Sequence, residues 1–332
     1  MNKMNAQQKM IVAFASKRGR HIPILRTVCV LEGVMSATDR DIRLNALCDL
    51  PDGVYTPEAI KVAEVVGGDP VHSEFKMEDY PLESAWCKPG EVRAELVLDA
   101  DAMERVKRVS LAMADRDVKY YLNGVMFDLG AGAGVCVATD GRRLHKAPMP
   151  DAKLSSSVAP EVAGAQAIIP REFITFLLKQ KTAHLFFTSN RVMAQCPDGL
   201  SMVSKLIDGK FPEYKRVIPT ERSPVALPGF RDAVAQAKTL WPTVKKIRGV
   251  KALVFHKDVL ELRGILDGER YMGAPLDGVA PVQEEYGFDP QYLIDAVAAL
   301  EPDLRLLFGT TGQPLLLEDN TGMQVVVMPL RV

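Results

Sequence analysis

The sequence predicts an α+β fold assembled from three copies of one unit. Three observations carry that prediction. An amphipathic helix recurs along the chain, alternating β-rich sequence follows each copy, and a second helix with a proline near its start comes next. With 332 residues, 47% hydrophobic and 25% charged, the chain suits two or three domains of globular composition.

The first helices are expected at Asn5 to Lys17, Asp99 to Met113 and Gly229 to Trp241. In the second of these, Met103, Val106, Val109 and Leu111 to Met113 build an apolar stripe, and Asp99 or Asp101 supplies a cap. Alternating strand sequence is expected over Ile24 to Met35, Tyr120 to Ala138 and Ala252 to Ile265. The second helices open on Thr56-Pro57-Glu58, Pro170-Arg171-Glu172 and Asp289-Pro290-Gln291. Proline suits a first helical turn because its missing N–H has no partner there. Two strand segments echo each other, SATDRDIRL at Ser36 to Leu44 and VATDGRRLH at Val137 to His145. Further strands are expected within His184 to Gln195 and Leu304 to Leu317. Joints at Cys87 to Glu95 and Pro219 to Pro228 then divide the chain into domains at 1–92, 93–219 and 220–332.

Net charge is −1, but the charges are segregated. Residues 1–31 hold Lys3, Lys9, Lys17, Arg18, Arg20 and Arg26 and no acid; Lys238, Lys245, Lys246, Arg248 and Lys251 form a second basic run. Acids gather over Asp69 to Glu83 and Glu284 to Asp303. Such a chain can show one basic face to phosphates while its other faces repel them. The five cysteines are widely spaced with no CxxC pair, which reads as reduced, packed thiols of a cytoplasmic protein without structural zinc. Met1 to Lys17 lacks the apolar core of a secretory signal, and no apolar run is long enough to span a membrane. There is no GxxxxGK[ST], GxSxG or HExxH motif, and the histidines are scattered. A catalyst, a cofactor and a membrane partner are therefore not expected.

Two longer stretches carry a resemblance. KYYLNGVMFDLGAGAGVCVATDGRRLHKAP (Lys119 to Pro148) and SKLIDGKFPEYKRVIP (Ser204 to Pro219) resemble the middle domain of the bacterial DNA polymerase III beta subunit family, the sliding clamps. HIPIL at His21 to Leu25, GFDPQYLIDAVAAL at Gly287 to Leu300 and the ending VVVMPLRV are similar to its first and third domains. The resemblance implies three repeated clamp domains, with helices lining the inside of a ring and sheets outside. It implies a homodimeric, non-catalytic processivity factor whose partners are double-stranded DNA, a polymerase catalytic subunit, a clamp loader and other clamp-motif proteins.

Carried onto this chain, the family's peptide cleft falls on Tyr121, Leu122, Thr139, Gly141, Arg142, Arg143 and Leu144, then Pro212, Arg216 and Val217. Ile247, Tyr292, Pro314, Val326, Met328, Pro329 and Leu330 complete it. The implied DNA contacts are Arg18, Arg20, Lys107, Arg108, Arg116, Tyr120 and Lys238, and the implied dimer contacts are Phe75 and Met77 with Leu240 and Trp241. The chain departs from the family in its first domain. Only Gly67 to His72 stands where a further strand pair is usual, and Ile247 and Asp289 replace an aromatic and an amide. A clamp-fold DNA-binding or scaffold protein without a closed ring is the alternative reading.

Overall fold

The computed structural model describes residues 3–18, 21–81, 91–129, 134–150, 166–220, 229–246, 249–257, 259–266, 269–276, 282–308 and 312–331. In chain order the first repeat holds α1 (Ala6–Ser16), β1 (Val28–Leu31), β2 (Val34–Thr38), β3 (Ile42–Leu47), β4 (Gly53–Tyr55) and α2 (Pro57–Val66). The second holds β5 (Ala94–Leu98), α3 (Ala100–Ser110), β6 (Gly124–Asp128), β7 (Gly134–Thr139), β8 (Arg143–Met149) and β9 (Gln166–Pro170). It continues with α4 (Arg171–Leu177), β10 (Ala183–Phe187), β11 (Arg191–Gln195) and β12 (Ser201–Lys205). The third comprises α5 (Phe230–Val244), β13 (Val250–Lys257), β14 (Val259–Leu266), β15 (Glu269–Leu276), β16 (Val282–Phe288) and α6 (Pro290–Ala299). It ends in β17 (Arg305–Leu307), β18 (Leu315–Glu318), β19 (Gln324–Val327) and β20 (Pro329–Leu330).

The helices start where local chemistry satisfies their first N–H groups. Asn5 and Gln8 close a capping box at α1, Thr56 Oγ1 accepts from Ala59 N–H at 3.1 Å, and Asp99 accepts from Ala102 N–H at 2.8 Å. Pro57 and Pro290 occupy first helical turns as expected, whereas Pro170 is itself the N-cap residue of α4. α5 extends beyond the expected Trp241 and takes Pro242 into its last turn. α3 stops at Ser110, short of the expected Met113. Two expected strand starts are 3₁₀ turns instead, at Pro23–Arg26 and Tyr120–Leu122.

Contacts divide the chain into two compact units that do not follow the repeats. In the first unit one antiparallel sheet runs β4–β1–β2–β3–β12–β11–β10–β5, so strands of the first two repeats are continuous through the β3–β12 pair. α1 lays Ile11, Val12, Phe14 and Ala15 into the core of this unit. Between Val66 and Pro81 the described residues hold one 3₁₀ turn, Met77–Asp79, and a single bridge from His72 to Tyr55. Phe75 and Met77 pack half-buried against Cys29, Val54 and Tyr80, whose hydroxyl donates to the carbonyls of Thr27 and Ser36. Phe75 and Met77, two of the four side chains expected at a dimer contact, thus pack within their own repeat.

The second unit holds the order β17–β18–β19–β8–β7–β6 and, separately, the sheet β15–β14–β13–β16–β20. Here β8 of the second repeat pairs with β19 of the third, with Leu144 opposite Val326. Phe230, Phe255 and Phe288 pack as a fully buried aromatic core under α5 and α6. Cys29, Cys136 and Cys196 are buried free thiols, and burial pushes Cys136 up to about 12, far from thiolate chemistry. Among the described residues no helix is long and apolar enough to cross a membrane.

Candidate functional site

Eleven of the expected cleft residues surround one hollow of about 240 Å³ in the second unit. They are Tyr121, Leu122, Thr139, Gly141, Arg142, Arg143, Leu144, Pro212, Val217, Val326 and Met328, joined by Lys119, Glu213 and Tyr214. The floor is apolar because β8 and β19 alternate, so Leu144 and Val326 point inward from paired positions and are nearly fully buried. Leu122 closes one end from the 3₁₀ turn before β6, held by its N–H to Lys119 O at 2.9 Å. Val217 and Met328 form the lip, with 46% and 40% of their surface exposed. Apolar side chains left that open are available to a ligand, and a flexible methionine adapts to several.

One wall is the β7–β8 turn. Thr139 Oγ1 donates to Arg143 O at 2.6 Å and accepts from Gly141 N–H at 3.0 Å. Asp140 accepts from the N–H groups of Arg142 and Arg143, and Gly141 takes φ +86°, where a side chain would be strained. Arg143 is locked by Asp140 at 3.0 Å, by Asp295 of α6 and by stacking over the Tyr292 ring at 4.4 Å. The network extends further. Gln291 donates to Asp295 at 2.8 Å and accepts from Trp241 Nε1 of α5 at 2.9 Å.

Behind the wall, His145 Nδ1 bonds Arg108 O at 2.9 Å. Burial, assisted by the Arg143 charge, lowers its pKa to about 4, so the ring is neutral at pH 7. Tyr214 is anchored by its hydroxyl to Asp128 at 3.2 Å, and burial first and that carboxylate second raise its pKa.

Other expected residues lie elsewhere. Tyr292 supports Arg143 from behind, Arg216 is exposed outside the hollow, and Pro314 does not line it. Pro329 and Leu330 form β20 and pair with Phe288 and Gly287 of β16. Ile247 lies outside the described residues. Lys119, Glu213 and Tyr214 went unnoticed although all three lie within the two stretches that carry the resemblance. A search for apolar anchors passes over rim charges and over a tyrosine that turns its hydroxyl inward.

The expected DNA contacts divide into two groups. Lys107, Arg116, Tyr120 and Lys238 are exposed, with Lys107 lightly paired to Glu104 on its own helix. Arg18 and Arg108 are engaged within the chain. Arg18 pairs with Glu172 and, at 3.4 Å, with Asp39, while Arg108 pairs with Glu301 at 2.7 Å and Glu104 at 3.4 Å. Arg20 lies outside the described residues.

Repeated modules of two helices on antiparallel strands, joined edge to edge, define the class: this is a DNA-clamp fold. Solved structures agree. A sliding clamp from Pseudomonas aeruginosa superposes with TM-score 0.76 at 22% identity, covering 98% of this chain and 97% of that one. A Bartonella birtlesii clamp bound to griselimycin gives TM-score 0.78 at 21% identity, over 98% and 96%. In sequence, the family model for the DNA polymerase III beta subunit central domain matches residues 98–213. The beta sliding clamp of Pseudomonas aeruginosa is 29% identical over 97% of this chain and 96% of its own, and that of Escherichia coli K12 27% over 94% and 93%. Over nearly its whole length the chain is similar to bacterial beta sliding clamps.

Proposed function

We propose that this chain is a DNA sliding clamp, a non-catalytic processivity factor that encircles duplex DNA and tethers the replicative polymerase. The observation that carries the reading is the open apolar hollow around Leu122, Leu144, Val217, Val326 and Met328, in a chain similar to these clamps. Its width suits the apolar anchors of a short linear peptide, and its rim offers Lys119, Arg142 and Glu213 for polar contacts. The polymerase subunit, the clamp loader and other clamp-motif proteins would use this one cleft in turn.

On the DNA side, Lys107, Arg116, Tyr120 and Lys238 are exposed and suited to phosphate contact. Contacts to phosphate do not read sequence, which suits a protein that slides. Topology rather than affinity then keeps the clamp on its duplex. The reading includes a homodimer that closes the ring, acting in the cytoplasm without a cofactor.

Fluorescence anisotropy of a labelled clamp-motif peptide tests the cleft. The intact protein should bind it at micromolar or tighter concentration, and deletion of Met328 to Val332 should abolish binding while the thermal transition survives. Equal affinity of the truncated and intact proteins would overturn the assignment.

A further inference from the structure

Strand pairing joins the repeats twice, at a first joint where β3 meets β12 and at a second where β8 meets β19. The two joints share one backbone frame. Beyond the β2–β3 turn, Lys205 N–H donates to Asp41 O at 3.0 Å, and beyond the β7–β8 turn, Met328 N–H donates to Arg142 O at 2.9 Å. Lys205 therefore stands in the first joint where Met328 stands on the lip of the apolar hollow. Arg40 stands where Gly141 stands, each at the left-handed position of its turn, φ +80° and +86°.

This exchange of residues changes the chemistry of the first joint. Arg40, Arg191 and Lys205 line its hollow of about 20 Å³, against a single acid, Asp41. Arg191 of β11 lies directly across from Lys205 of β12. The space is that of roughly one or two waters, too small for an apolar anchor and sufficient for two oxygens of an oxyanion. Asp41 is 74% exposed and pairs with Lys205 at 3.0 Å, an open contact that an entering anion can displace. Asp39 faces other donors, the N–H groups of Asp41 and Ile42 and, at 3.4 Å, the guanidinium of Arg18.

Arg40 is a second sign. Among the described residues its side chain makes no ion pair, and its backbone conformation costs a non-glycine residue about 1 kcal/mol. Such strain persists where a site uses the side chain it places. The apolar joint, with no use for a cation there, has glycine.

We propose that the first joint is an oxyanion seat in which Arg40, Arg191 and Lys205 hold one phosphate group. A guanidinium offers paired N–H donors that match two phosphate oxygens at once, and the lysine ammonium adds a point charge. Free phosphate, a nucleotide and the backbone of a nucleic-acid strand all present this group. One plan of turn and strand thus makes a socket for apolar anchors at one joint and a cationic seat at the other.

Nuclear magnetic resonance of the arginine Nε–H groups in the full chain, during titration with inorganic phosphate at fixed ionic strength, tests the seat. The Arg191 resonance should move saturably. Arg40→Gly with Lys205→Met, which installs the second joint's own residues, should raise the dissociation constant about tenfold or more. Arg40→Gly alone, which relieves the strained backbone, should give part of that loss. Both variants should keep their thermal transition and their peptide affinity at the cleft, which separates a lost seat from a lost fold. A wild-type titration that never saturates, or one that both variants leave equally tight, would overturn the seat. A short oligothymidylate then distinguishes the sources. Binding tighter than that of inorganic phosphate, and weakened by the double variant, assigns the seat to a nucleic-acid strand; equal or weaker binding assigns it to free phosphate or a nucleotide.

Discussion

The turns Thr38–Ile42 and Thr139–Arg143 are built on one plan. In both, the threonine hydroxyl donates to the carbonyl four residues on and accepts an N–H two residues on. In both, the next aspartate accepts two N–H groups of the returning strand. Yet the first turn borders a hollow of about 20 Å³ and the second one of about 240 Å³. The difference lies just past the turn. Where the second joint pairs Leu144 with Val326, the first pairs Arg43 with Val203, and Arg43 is buried. The turn fixes a wall, and one residue beyond it decides whether the groove is an apolar socket or a filled polar seam.

Three substitutions make the second joint more or less like the first. The largest effect is expected from Leu144→Arg, which installs the first joint's residue on the cleft floor. Peptide affinity should fall about 100-fold or more, as for loss of a central anchor of about 3 kcal/mol. Affinity within a few fold of wild type would show that the floor residue does not separate the two joints.

Next comes His145, whose counterpart in the first joint is the fully buried Leu44. The imidazole titrates near 6.5 when unfolded and, because burial disfavours its charged form, at about 4 in the fold. The neutral ring therefore stabilises the fold fully above about pH 6.5 and progressively less as pH falls toward about 4, by roughly 1.4 kcal/mol per pH unit. Urea midpoints measured from pH 7 to pH 4 should fall more steeply for the native chain than for His145→Leu. Parallel curves would exclude His145 as the source of the slope.

The smallest effect concerns the turn itself. Gly141 adopts φ +86°, and its equivalent Arg40 adopts φ +80°, where a side chain is strained. Arg40→Gly should stabilise the first unit by about 1 kcal/mol, read as a higher urea midpoint. A lower midpoint would mean that the Arg40 side chain offsets its own backbone strain.

How much of this was legible depends on sequence distance. Capping residues and first-turn prolines act within one helical turn, so Asn5, Thr56, Asp99 and Asp289 announced their helices. The shared turn was legible as TDRD and TDGR, since its hydrogen bonds span four residues or fewer. The two 3₁₀ turns were misread because an apolar run such as Tyr120 to Leu122 carries no signal separating a strand from a tight turn. Arg18 and Arg108 looked like free basic residues because one carboxylate that holds each lies in the next repeat, Glu172 for the first and Glu301, at a separation of 193 positions, for the second. Periodicity is silent about such partners. The packing of Phe75 and Met77 into their own repeat was hidden for the same reason, since Cys29 and Val54 approach them only through the sheet.

The relay from Asp140 through Arg143, Asp295 and Gln291 ends on the indole of Trp241. The chain has two tryptophans, and the other, Trp86, lies outside the described residues. In a Trp86→Phe background the remaining indole is an optical gauge wired to the cleft. A peptide that drew Arg143 from Asp295 would loosen the Gln291 amide and alter the field at the indole nitrogen. Ligand arrival should then be readable as a shift in native emission, with no dye on either partner.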